Sequence, residues 1–256
     1  MEAPKARRYR DQEIDTLLRQ AQSLGIPLWL AGYEAIRRSC PNFCFAFDTL
    51  QRPDGDIDIV SVREHRGALR KMLAAFGYGE DQQILLAEEG TRYVYVDMAR
   101  AVVIDLFIDE LYFCHPLELR RRLFSGTQIL SPSDLLLSKL QIREISQRDV
   151  TDASVLLLEH PVTESDDTAI NASYISSLMS PDWGFWYTAT QNLRVIHESN
   201  AMDQIGANHR ATLQGRIREL EQAIARAPKT WRWRTRRWIG TRMIWYRRVS
   251  PRTRMF

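Results

Sequence analysis

Cysteine is scarce: 256 residues contain only Cys40, Cys44 and Cys114. Three thiols cannot all pair with one another, which excludes a disulfide-built scaffold and suits a reducing cytoplasm. No apolar run approaches the roughly 18–20 residues that a membrane-spanning helix needs. The opening, MEAPKARRYRDQ, is basic but has no apolar stretch behind it, so no secretory signal is expected. CPNFC has C-x-x-x-C spacing without a second Cys/His pair in register, and the five histidines are scattered, so zinc is not expected. G-x-x-x-x-G-K-[ST] and G-x-S-x-G are both missing, which disfavours P-loop and α/β-hydrolase chemistry. Acidic residues are missing from one stretch altogether. Residues 227–256 hold ten Lys and Arg and no Asp or Glu, leaving 25 basic against 32 acidic side chains elsewhere. A mildly acidic body therefore carries a basic tail, which is either solvated, docked on acids of the same chain, or free to bind an anion.

What is present suits a folded chain. Hydrophobic residues make up 45% and charged residues 26%, enough for a real core in one large domain or two small ones. Ile14, Leu17, Leu18, Ala21 and Leu24 share one helix face, with Gly25 as a stop. The run PLWLA (27–31) reads as a buried strand that turns at Gly32 into a helix beginning around Tyr33. DIDIVSV (56–62) alternates with period two and is rich in Ile and Val, the pattern of a strand. A helix over 63–76 follows, then strands over 82–87, 92–98 and 101–108. Ser131-Pro132-Ser133-Asp134 is a strong helix start, and another helix covers about 148–159. Beyond residue 160 the pattern is helical only, with candidates at 165–179, 184–198 and 208–226. The order implies an α+β head over 1–160, a helical domain over 161–226, and the basic Trp/Arg-rich tail over 227–256.

The chemistry concentrates in RPDGDIDIV. Asp56 and Asp58 are two apart on an expected strand, so both carboxylates point to one face. Like charges so placed repel unless a cation sits between them, and magnesium with oxygen ligands is the natural occupant. The plainer alternative is an exposed strand face paired with Arg52 or Arg63. Asp105 interrupts the apolar strand AVVIDLFI, where a carboxylate is costly without a partner. If that strand lies beside 56–62, three carboxylates converge. Two would hold metal, and the third would ligate a metal or take a proton from an attacking hydroxyl. The alternative for Asp105 is a buried ion pair or a water-bridged acid. Asp109 and Glu110 are later acids at the strand end.

Gly32 after a strand, Asp56-Ile57-Asp58, and Asp105 in a later strand together resemble the nucleotidyltransferase superfamily typified by DNA polymerase beta. RPDGDIDI is similar to the corresponding stretch of the aminoglycoside nucleotidyltransferases. Leu135 to Leu140 (LLLSKL) with Arg148-Asp149-Val150-Thr151-Asp152 resembles the lysine and aspartate motifs of abortive-infection type toxin nucleotidyltransferases. The resemblance covers roughly residues 26–160 and implies a nucleotidyltransferase-like mixed sheet with flanking helices. It implies that Asp56, Asp58 and Asp105 hold two magnesium ions and that Asp105 activates the acceptor. Gly32 and Tyr33 would lie at the phosphates, Lys139 would contact a phosphate, and Asp149 or Asp152 would close the site. The substrate would be an NTP such as ATP, and the acceptor a hydroxyl of a small molecule, an RNA or a protein. The family has a second small residue where this chain has Tyr33, which keeps a catalytically silent nucleotide- or RNA-binding module as the alternative. For Lys139 the plainer alternative is a side chain reaching solvent, and for Arg148 and Asp152 a surface i,i+4 pair.

Two aromatic groups remain. Trp183, Phe185, Trp186 and Tyr187 read as core of the helical half, with base stacking as the runner-up. Trp231, Trp238 and Trp245 are seven apart and would form one helix stripe among arginines. Such a stripe suits RNA, a membrane interface, or docking on the acidic body; three tryptophans are costly to leave in water, which favours a folded tail.

Overall fold

The computed structural model describes residues 5–81, 90–123, 127–165 and 168–248. The chain is α+β and divides into two compact units. The first draws on residues 1–34, 55–111 and 118–130, the second on 35–54, 112–117 and 131–256. In chain order the elements are α1 (Lys5–Ser23), β1 (Trp29–Leu30), α2 (Gly32–Ser39), α3 (Phe45–Thr49), β2 (Ile57–Ser61), α4 (Arg66–Ala75), β3 (Gly79–Glu80), β4 (Arg92–Asp97) and β5 (Val102–Ile108). Then follow α5 (Pro132–Leu140), α6 (Gln147–Glu159), α7 (Ala172–Met179), α8 (Trp183–Glu198), α9 (Ala207–Arg226) and α10 (Trp231–Ile239).

The first unit is built on a five-stranded mixed sheet in the order β1-β2-β5-β4-β3. Only β2 and β5 run parallel; the other pairs are antiparallel. Ile57, Ile59, Ile104, Leu106 and Tyr95 are fully buried, as the period-two pattern requires. The partner face carries Asp58, Asp105 and Arg92. The expected strand over 82–87 lies outside the described residues.

The second unit is helical. α5 is capped by Ser131, whose hydroxyl accepts from the Asp134 N–H, with proline in the first turn. Leu135, Leu136, Leu137 and Leu140 are all buried, so this helix needs apolar neighbours nearly all round. It finds them among other helices, and 131–160 groups with the helical unit. Asn192 of α8 donates to the Leu140 and Ile142 carbonyls at 2.9 and 2.7 Å and holds the C-terminal end of α5. α9 buries Leu213, Ile217, Leu220 and Ile224, a stripe with 4-3-4 spacing inside the helix expected over 208–226.

Two expectations are corrected here. The segment after residue 160 is not purely helical: Val162–Thr163 and Ile170–Asn171 pair as short parallel strands. The helix read over 165–179 accordingly starts at Ala172, where Asn171 accepts from the Tyr174 N–H at 2.9 Å. The tryptophan stripe is also broken. α10 ends at Gly240, whose φ of +59° continues no right-handed helix, so Trp245 lies beyond it. The buried tryptophan of α10 is Trp233, and Trp231 and Trp238 face outward.

Candidate active site

In the sheet unit, Asp58 sits directly across from Asp105 in the parallel β2–β5 register. Neighbouring strands lie about 4.8 Å apart, and residues in register share a face. Asp56 precedes β2 by one residue, and Asp56 and Asp58 are both half-buried. Gly32 opens α2 with φ +59° at the end of the β1 connection. A Cβ at this position would fall inside the Asp58 carboxylate. The glycine therefore does two things: it turns the chain from strand to helix, and it lets a carboxylate lie against the backbone at the helix start. Tyr33, next in line, is buried, so its side chain belongs to the interior.

Asp105 is buried and bound by Arg92. The guanidinium Nε donates to one carboxylate oxygen at 2.7 Å and Nη2 donates to the other. Arg92 lies across from Phe107 on β4, two residues along β5 from Asp105, and reaches diagonally to it on the same face. The buried ion pair weighed for Asp105 in the sequence is therefore present. Sequence reasoning did not single out Arg92. The signal was an arginine opening the strand RYVYVD, at a position that alternation places inward.

A second arginine supports the loop before Asp56. Arg10 of α1 bonds the carbonyl of Gly55 and pairs with Glu34 at 2.6 Å. Arg63 reaches a different acid, Asp109, through both its backbone N–H and Nε.

The remaining candidates lie in the helical unit. Lys139 Nζ is 2.9 Å from Asp152 Oδ2 and 3.3 Å from Asp149 Oδ1. Arg52 donates to both oxygens of Asp152, from Nε at 3.0 Å and Nη2 at 2.9 Å. Asp152 is fully buried, whereas Arg148 is exposed, so Asp152 takes Arg52 and Lys139 and not the expected i,i+4 neighbour. Asp149 also closes a capping box with Ser146 at the start of α6. Burial opposes charge at Lys139, but Asp152 and Asp149 overcome it and hold the ammonium above its ordinary pKa. Burial raises Asp149, and Lys139 together with the Ser146 hydrogen bonds brings it below the usual carboxylate value. Lys139 is thus a neutralised partner in a four-residue network of two cations and two anions, not a side chain that reaches into solvent.

Other reactive groups are held inert. Cys40 lies 3.8 Å from His160 Nε2, but burial pushes its thiol up to about 12. Among the described residues no three His, Cys, Asp or Glu side chains gather closely enough to hold a metal by themselves. Asp56 and Asp58 still offer hard oxygen donors of the kind magnesium takes when substrate phosphates complete its shell. Asp105 faces the same side, with both its oxygens accepting from Arg92.

No family model matches the chain, and neither does any curated protein. Among solved structures, the solution structure of the antibiotic-resistance factor ANT(2'')-Ia is similar over 83% of this chain and 92% of that one, at 14% identity and a TM-score of 0.33. A likeness of that size does not place the chain in a family.

Proposed function

We propose that this chain is a nucleotidyltransferase that moves a nucleoside monophosphate from an NTP to a hydroxyl acceptor. One observation carries the reading: Asp58 stands in register with Asp105, and the Gly32 backbone leaves room for the Asp58 carboxylate. A glycine at a strand–helix turn, a D-x-D strand and an acid on the adjacent parallel strand form the pattern from which the resemblance arises. Asp56 and Asp58 are the residues that would hold magnesium, which when bound would offset the charge of the NTP phosphates.

In this reading Asp105 takes the proton from the acceptor hydroxyl. The hydroxyl oxygen forms a bond to the α-phosphorus, the bond to the bridging oxygen breaks, and pyrophosphate leaves. A carboxylate has about four lone-pair sites, and the two bonds from Arg92 use one on each oxygen. Arg92 thereby orients Asp105 and leaves it able to accept. Gly32 keeps the helix start open to phosphate, and Tyr33 contributes backbone only.

The test is calorimetric titration of NTP with and without magnesium, on the wild type and on the Asp56→Asn, Asp58→Asn double variant. The metal-dependent affinity should disappear in the variant. Equal affinity in both proteins removes the assignment. A second reading, a silent nucleotide-binding module, is favoured by one feature: both oxygens of Asp105 already accept from Arg92. Incubation with each labelled NTP and a cell extract separates the two. Label on an acceptor supports transfer; metal-dependent binding without any labelled product supports the silent module.

A further inference from the structure

The tail contains a surface that nucleotidyl transfer does not use. Its inner side is pinned to the helical unit. Trp233 is buried with its ring 5.0 Å from that of Trp186, and Arg236 lies 5.1 Å over Trp183 while donating to the Gly240 and Met243 carbonyls. Trp245 Nε1 donates to Thr188 at 3.2 Å, and the Arg247 N–H donates to the Cys114 carbonyl at 2.9 Å. The segment is therefore folded, and its outer side is what it presents to the surroundings. That side carries Trp231 at 70% exposure, Trp238 at 86%, Met243 at 61% and Ile244 at 63%, with Ile239 between them at 40%. Helical spacing places Trp231, Trp238 and Ile239 on one face of α10, flanked by the exposed Arg232 and Arg234, and Arg237 and Arg242 are exposed nearby. Not one acidic residue occurs from 227 onward.

We infer that this outer side of α10 and the segment after it form a docking surface for an anionic lipid bilayer. Water is a poor neighbour for so many large apolar side chains in a short stretch. The charge around them is of one sign, so the covering partner carries negative charge. The apolar members decide which polyanion fits. A single-stranded nucleic acid would use the two tryptophans for stacking but has no use for Ile239, Met243 and Ile244. A bilayer interface accommodates all of them: indole rings settle at the headgroup level, aliphatic chains enter the acyl boundary, and arginines reach the phosphates. No helix among the described residues is long and apolar enough to cross a membrane, so the contact is with one leaflet.

The full chain should co-sediment with vesicles of mixed phosphatidylcholine and phosphatidylserine, and weakly or not at all with phosphatidylcholine alone. Trp238→Ser with Ile244→Ser changes two exposed side chains and should preserve the circular dichroism spectrum. Vesicle affinity should fall roughly tenfold or more. Arg234→Ser with Arg242→Ser should weaken binding and flatten its salt dependence. No sedimentation with the mixed vesicles, or unchanged affinity in the Trp238/Ile244 variant, overturns the inference. So does tight binding of a single-stranded RNA oligonucleotide that survives Ile244→Ser while vesicles are ignored. A doubled mass in ultracentrifugation that Trp238→Ser abolishes would assign the surface to a second copy instead. None of these readouts depends on nucleotide chemistry, so failure here leaves the proposed transfer untouched.

Discussion

The two units bury carboxylates in opposite ways. On the sheet, Asp105 accepts from the Arg92 guanidinium through both its oxygens, inside an otherwise apolar strand. In the helical unit, Asp152 meets Arg52 and Lys139 together, and Asp149 shares Lys139 with a capping box. The sheet pair is a two-point clasp between neighbouring strands; the helical network links two acids through a shared ammonium. The helical network therefore still holds Asp152 through Arg52 when the Lys139 ammonium is removed.

The largest effect should come from the sheet pair. Arg92→Ala removes both guanidinium bonds from the buried Asp105 carboxylate and should cost about 3–5 kcal/mol in denaturant unfolding. Replacing both partners, Arg92→Met with Asp105→Leu, should recover most of that loss, because the desolvation penalty goes with the charge. Lys139→Met, by contrast, leaves Arg52 on Asp152 and should cost only about 1–3 kcal/mol. If the two single variants proved equally damaging, the contrast between the units would be wrong.

Gly32→Ala sharpens the contrast from the sheet side. It combines a positive φ with displacement of the Asp58 carboxylate and should cost about 1–3 kcal/mol, with NTP affinity lost as well. A smaller effect is visible in pH. Burial lowers the pKa of His115 from its ordinary value to about 4, with its Nε2 2.9 Å from the Thr188 hydroxyl. Between the ordinary histidine value and about 4 the unfolded chain binds a proton that the folded chain refuses. Stability should therefore fall as pH falls through that window, and His115→Gln should flatten the slope. The smallest change is Ser146→Ala, which removes the cap of α6 for about 1 kcal/mol in thermal unfolding.

How legible this was depended on distance along the chain. Ser131 and its proline could be read because a cap and its helix are adjacent. The Asp56–Val62 alternation could be read because a strand states its own period. Leu213, Ile217, Leu220 and Ile224 could be read because a buried helix face repeats. Arg52 and Asp152, a hundred residues apart, meet only through packing that no local pattern encodes. Arg92 finds Asp105 through antiparallel register, which follows from how β4 and β5 align and not from either strand alone. The tryptophans show the same limit. A spacing of seven promised a stripe, but Gly240 ends the helix and reassigns burial to Trp233. The short strands at 162–163 and 170–171 were too brief to show any period at all.

Gly184 has a consequence for anyone shortening this protein. A Cβ there would come within 2.5 Å of the Trp245 carbonyl, so α8 begins with a notch cut to fit the returning backbone. Trp245 in turn sets its ring edge-on to Tyr187 at 5.3 Å and to Trp183 at 6.4 Å. A chain stopped after Gly240 would empty that notch and uncover both rings. The truncated product should clump during purification, even though the piece removed looks on paper like a dispensable appendage.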